Sequence, residues 1–457
     1  MAWRSSKAKR LTVITLQMTY MVLFSTSYIY PRKMAELEKP IRVLYVCPWA
    51  HWSGHPADTA IKETAALAKA GAQVSLCTFR GVLGRKVPPT IPHRAVVSSW
   101  IGSLLGVLAN LLVSLKISPM KGLSWLLEQF STLFLAVKLR KTFKYDVIYL
   151  CDGDPFIFTP FLLGLVFRHY RWVVVLAGVK ALVSPSSLSH KLFHKFLNAP
   201  LWKPIYRSSL AKNQFTFICP NKYIKDYFET KFLDGILSGR VSVIPLGVEQ
   251  TANIAPQKEA RRFLGLPEDK VIFLHFGSLH QGKDIEAVLA AISGIPDVLL
   301  IHAGAVAVRM PLTTPQELLD LVHHYGVQDR VIIKDYYIPE EEKKYYFGAA
   351  DATILSYKRD TWQTTSMLWE TAKFSSPTIA SDVGELGELV KRYKLGLVFE
   401  AENATSLKHA LSRFLSSSQS EKETMRSNYE KFGNEFSVDE WARKHVKSFR
   451  ELCQHEL

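Results

Sequence analysis

Twelve short apolar runs, six before Pro256 and six after it, alternate with stretches of helical period, and no other property of the chain restricts its fold as tightly. The first set reads IRVLYVC, AQVSLCTF, DVIYLC, RWVVVLAG, FTFICP and RVSVIPLG; the second reads VIFLHFG, VLLIHAG, RVIIKDY, ATILSY, PTIASD and LGLVFE. Each is bounded by turn formers, as expected of strands covered on both faces by helices. Such alternation, made twice, predicts two doubly wound, Rossmann-like α/β domains. The 457 residues also exceed what one core serves. The join falls in IPLGVEQTANIAPQ, a segment of linker composition. Ligands of such sheets bind outside the carboxyl ends of the strands, which places the site in a central cleft that both domains face.

Charge is distributed unevenly. Residues 1–250 hold 32 Lys and Arg against 12 Asp and Glu, while residues 251–457 hold 25 against 29. An anionic partner belongs with the basic half. Aromatic and basic residues are not interleaved as nucleic-acid binding would require, so nucleic acid is not an expected partner. Four of the five cysteines (Cys47, Cys77, Cys151 and Cys219) end apolar runs, and no CxxC pair occurs. That placement suits buried thiols in a reducing compartment rather than disulfides or a metal site. Residues 1–39 form an N-terminal extension with two readings. The uncharged stretch Leu11 to Tyr30 after four basic residues is either a membrane anchor or a segment ahead of a start at Met34. A helical insertion at about 100–143 holds two apolar stretches tipped with Lys116, Lys121, Lys138, Arg140, Lys141 and Lys144. Such helices either serve a core or lie in an anionic membrane interface.

The stretch FGSLHQGKDIEAVLAAI, Phe276 to Ile292, carries chemistry of its own. A strand ends at Phe276, and Ile285, Val288, Leu289 and Ile292 make one helical stripe. Between them lie Gly277 and, at the helix mouth, Lys283. Helix amides and a cation at such a mouth predict a phosphate seat.

The order VIPLGVE, FGSLHQGKD, AADATILSY, LWETAKFSSPTIASDVGELGELV, GLVFE and FSVDEWARK resembles glycosyltransferase family 4, retaining enzymes of the GT-B fold. The resemblance runs from about Ile41 to Arg450 and is most specific in the second half. It implies an acceptor-side domain at 40–247, a donor-binding domain at 248–434 and a C-terminal helix at 435–457 that returns to the first domain. It implies a nucleotide-diphosphate sugar as co-substrate, no cofactor and no metal. Lys283 corresponds to the lysine of the family's diphosphate clamp, and Ser278 stands where the family has arginine. Glu370 corresponds to the glutamate that binds the ribose; Trp362 replaces the family's earlier glutamate. Lys283 and Glu370 are therefore the expected catalytic residues. Gly277, Ser278, Thr364, Thr365, Ser366, Gly384 and Glu388 complete the donor set, with Glu385 in place of a second glycine after Gly384.

On the acceptor side, Gly54 matches the family's glycine loop and His51 and His55 flank it, while Asp152 and Asp154 end the strand VIYLC. The family's histidine after a later strand is replaced by Ala177 and Gly178. The resulting expectation is a cytoplasmic glycosyltransferase, peripheral at the membrane, acting on a saccharide or lipid-linked acceptor. The replacements at 278, 362 and 177 equally fit a non-catalytic GT-B scaffold subunit.

Overall fold

The computed structural model describes residues 39–51, 55–82, 87–114, 118–153, 157–177, 195–196, 199–249, 253–280, 282–306, 314–359 and 366–454. From Arg42 to Leu457 the chain is one compact unit built on two parallel sheets. The first holds β1 (Arg42–Cys47), β2 (Gln73–Thr78), β3 (His93–Ala95), β4 (Val147–Leu150), β5 (Arg171–Val175), β6 (Gln214–Cys219) and β7 (Val241–Val243), in the order 3-2-1-4-5-6-7. The second holds β8 (Val271–Phe276), β9 (Val298–Ala303), β10 (Val331–Lys334), β11 (Ala352–Leu355), β12 (Thr378–Ser381) and β13 (Gly396–Phe399), in the order 10-9-8-11-12-13. Both orders reverse beside the first strand of the domain, where doubly wound sheets open a crevice.

All twelve apolar runs became strands. The addition is β3, three residues at the sheet edge with the sequence HRA and no buried side chain. A strand held by pairing with β2 alone needs no apolar run, so its sequence shows none.

Burial explains the rest. Leu44, Val46, Leu150, Trp172, Val174 and Phe217 bind the first sheet to its helices. Phe273, Val288, Leu300, Ile354 and Ile379 do the same for the second. The last helix, Val438–Gln454, packs on the first domain: His445 and Phe449 meet the Tyr149 ring edge-on, and Arg171 donates to the Leu452 carbonyl at 3.2 Å. Lys69 pairs with Asp439 at 2.6 Å, and the crossing is fixed by a parallel bridge between Val248 and Ser437. All five cysteines are free thiols. Among the described residues, no helix is long and apolar enough to cross a membrane.

Candidate functional site

The turn after β8 is shaped by close backbone contact. Gly277 has φ +84°, and a Cβ there would lie 2.8 Å from Met367 Sδ. Across from it, a Cβ on Gly304, after β9, would fall 2.4 Å from the carbonyl of Gly277. Only glycine at 304 allows β8 and β9 to leave the sheet this close together. Gly304→Ala is expected to lower stability by about 2–3 kcal/mol, as overpacking of an immobile backbone does, and to weaken any ligand of the turn. Denaturant midpoints measure the first effect; an unchanged midpoint would show that the turn yields.

Lys283 is buried, and its ammonium donates to the carbonyl oxygens of Phe276 and, at 3.1 Å, Gly277. No carboxylate pairs with it among the described residues. Burial therefore pulls its pKa down to about 7. Beneath it, His275 and His302 are buried and share a hydrogen bond of 2.9 Å between their Nδ1 atoms. Burial, then the charge of Lys283, lowers both, His302 to about 4, so this pair is neutral near pH 7.

One expectation is corrected here. The amino end of the helix Ile285–Ser293 is partly occupied: the Asp284 carboxylate accepts from the amide of Ala287 at 3.2 Å. The amides of Gly277, Leu279, Gly282, Lys283 and Asp284 also donate within the protein. An aspartate at N-cap satisfies the dipole that an anion would otherwise meet. Lys283 supplies the positive charge at this turn, and Asp284 offsets part of the pull of the helix dipole.

Glu370 lies on the helix Ser366–Lys373 and is bonded at 2.9 Å to Lys343, a buried lysine of the helix Glu340–Ala349. Lys343 also meets Glu340 at 2.8 Å, Glu340 pairs with Lys373, Lys373 meets Glu249 at 2.7 Å, and Glu249 meets Lys62 at 2.8 Å. These six residues form one chain of alternating charge from Glu370 to the helix His55–Lys69 of the first domain. Burial opposes ionisation of Glu340, yet Lys343 and Lys373 outweigh it and hold its carboxyl at about 2. Tyr337 adds a second crossing, donating to Asp58 at 3.1 Å.

On the other side of the cleft, Glu388 is exposed and pairs with Lys222 of the first domain at 2.9 Å. Gly384 opens the helix Gly384–Tyr393 with φ +48°. Burial pushes the neighbouring Glu385 carboxyl up to about 7, against the pull of the Asn221 amide. An acid at 385 thus carries reduced charge near neutrality. Ser278 is exposed at the turn and Ser366 begins its helix. His51 follows β1 with Nε2 3.6 Å from Glu128 of the insertion, Asp152 follows β4, and His55 begins the helix His55–Lys69. Gly54, Asp154, Thr364 and Thr365 lie outside the described residues.

Sequence reasoning missed Lys343, Glu340, Lys373, Glu249 and Glu128. Lys373, three residues after Glu370, was readable as a helical neighbour. The others come from distant segments and show no pattern until the chain is folded.

Two doubly wound domains around a cleft, with a lysine at the mouth of the second domain's first strand, define the GT-B class. Residues 256–432 match the model of the family described as Glycosyl transferases group 1. An uncharacterised glycosyltransferase of Methanocaldococcus jannaschii is 25% identical over 156 residues, which are 34% of this chain and 38% of that protein, so the chain spans well under half of the relative it matches. The fold is similar to sucrose-phosphate synthase of Thermosynechococcus elongatus (TM-score 0.64, 19% identity, 90% of this chain and 99% of that one). It is also similar to Anabaena HepE in complex with UDP (TM-score 0.63, 16% identity, 90% and 100%).

Proposed function

We propose that this chain moves a sugar from a nucleotide-diphosphate sugar to a hydroxyl acceptor, with retention as in family 4, during assembly of a saccharide or lipid-linked glycan at the cytoplasmic face of a membrane. The observation that carries the reading is Lys283. A buried ammonium held, among the described residues, by carbonyl oxygens alone, at a strand end facing the cleft, is poised to exchange them for an anionic ligand. Charge that develops on the leaving diphosphate would be met there, an electrostatic role needing neither proton transfer nor a resident metal. Glu370, fixed by Lys343, is the group for the ribose hydroxyls. His51 and Asp152, at the ends of β1 and β4, stand on the acceptor side.

Thermal unfolding with UDP, GDP, ADP, TDP or CDP tests this directly, beside Lys283→Ala and Glu370→Ala, each compared with its own unliganded midpoint. HepE was solved with UDP bound, which makes UDP the first to try. A ligand at 100 times its Kd adds about 2.7 kcal/mol and moves the midpoint by a few degrees. One nucleotide should shift the parent and neither variant. Ser278 at the arginine position and the pairing of Glu370 with Lys343 favour a second reading, a non-catalytic scaffold. No shift with any nucleotide would give that reading the lead.

A further inference from the structure

One helix of the first domain, and the first part of its neighbour, are turned inside out. The helix Trp100–Ser114 contains no charged residue, and its inward face is made of small residues: Gly102, Gly106 and Ala109 are buried. A Cβ on Gly102 would lie 1.8 Å from the Val96 carbonyl oxygen, and one on Gly106 3.1 Å from Val97 Cγ1, so the helix sits too close for anything larger. Its large side chains point the other way: Ile101, Leu104, Val107 and Leu111 are 56%, 58%, 65% and 57% exposed. A helix that faces water has the reverse arrangement.

Its partner, Ser118–Phe143, joins it through a bond of 3.2 Å from Ser124 Oγ to the Ala109 carbonyl. Up to Thr132 this helix buries Ser124, Glu128, Gln129 and Thr132 and exposes Leu123 and Phe130; beyond it Leu133, Ala136 and Val137 enter the core while Phe134 stays exposed. Polar residues inside and aromatic residues outside suit an apolar surrounding, not water. The outward stripe then runs into Lys138, Lys141 and Lys144, all exposed, and the Lys138 ammonium lies 4.9 Å over the Phe134 ring.

We propose that these two helices dock the protein on an anionic lipid surface, with the apolar side chains in the acyl boundary and the lysines at the headgroups. Apolar area bordered by cations is the pattern that binds such interfaces, and long lysines reach the headgroup layer from beside it. A second copy of the chain fits less well. A twofold contact sets like patches together, and here both carry the same excess of positive charge. The inference does not depend on the transferase reading.

Flotation of the full chain with vesicles of phosphatidylcholine alone, and with equal parts of phosphatidylcholine and phosphatidylglycerol, tests it. The parent should float with the anionic vesicles and remain behind with the neutral ones. In the variant Leu104→Ser, Leu108→Ser, Leu111→Ser, the bound fraction should fall roughly tenfold or more while the unfolding midpoint stays in place. If that variant folds poorly, Lys138→Glu with Lys141→Glu, both on exposed sites, should lose the anionic vesicles alone. Parent-like flotation of either folded variant would overturn the proposal, because binding would then reside elsewhere in the chain. So would a parent that ignores vesicles but sediments as a dimer which the leucine variant splits.

Discussion

Replacing Lys283 with methionine should make the folded chain harder to unfold while removing sugar transfer. The ammonium is buried and held by two carbonyl oxygens, with a pKa of about 7 against an ordinary 10.5. Between these values the unfolded chain holds a proton that the folded chain has released, so stability rises with pH across that window. Below pH 7 both states are charged and the whole burial penalty is present. Methionine removes the penalty and loses two hydrogen bonds, for a net gain of about 1–3 kcal/mol at pH 7 that shrinks toward pH 10.5. Denaturant midpoints at pH 6.5, below this window, and at pH 9.5, well inside it, read this difference.

Transfer should fall by about 10²–10³ in kcat, the usual effect of removing one group that stabilises developing negative charge. Binding should also be linked to protons. A diphosphate favours charged Lys283, so its binding above pH 7 takes up a proton, and affinity falls as pH rises from there. Calorimetry in Tris and in HEPES would then give different apparent enthalpies for the parent and equal ones for the methionine variant. Equal enthalpies for the parent would sink the assignment of Lys283 as the diphosphate contact.

The fold was legible because apolar period is a local property. Each of VIFLHF, VLLIHA and ATIL announces a strand within its own few residues, and two rounds of alternation leave little choice of architecture. The candidate site was legible where its residues lie next to a turn, as at Gly277 and Lys283. What sequence did not reveal depends on juxtaposition. That the Asp284 carboxylate caps the helix after the turn, accepting from the Ala287 amide, appears only in the fold. Glu370 reads as a lone helix acid, and nothing nearby in sequence announces Lys343, 27 residues away, as its partner. The inverted helices are a further case: apolar content identified them, but which face they bury follows from Gly102 and Gly106 meeting the segment Val96–Val97.

Glu340→Gln should have the largest stability loss of any single change in the cleft, because Glu340 is the middle acid of the charge chain. It holds both Lys343 and Lys373, whose other contacts are Glu370 and Glu249. Without it two lysines, both largely buried, share too little negative charge. Breaking a buried pair typically loses 3–5 kcal/mol, and since each lysine keeps one acid, about 2–4 kcal/mol is expected here. The pH dependence has a definite sign. Glu340 is held at about 2, below the ordinary 4.5, so its stabilisation is full above 4.5 and is lost as pH falls from 4.5 toward 2. The gap between parent and variant should therefore narrow through that window. Adding Lys343→Met to Glu340→Gln should recover part of the loss, since it removes one unpaired charge. Function follows along the same chain: Lys343, deprived of Glu340, would hold Glu370 more strongly against a ribose, and nucleotide affinity should drop several-fold. Urea midpoints at pH 7 and pH 4, with nucleotide titrations on the same proteins, decide it. A variant within 0.5 kcal/mol of the parent at pH 7, a margin of order measurement error, would mean that the six residues act as separate surface pairs and that nothing couples Glu370 to the first domain through them.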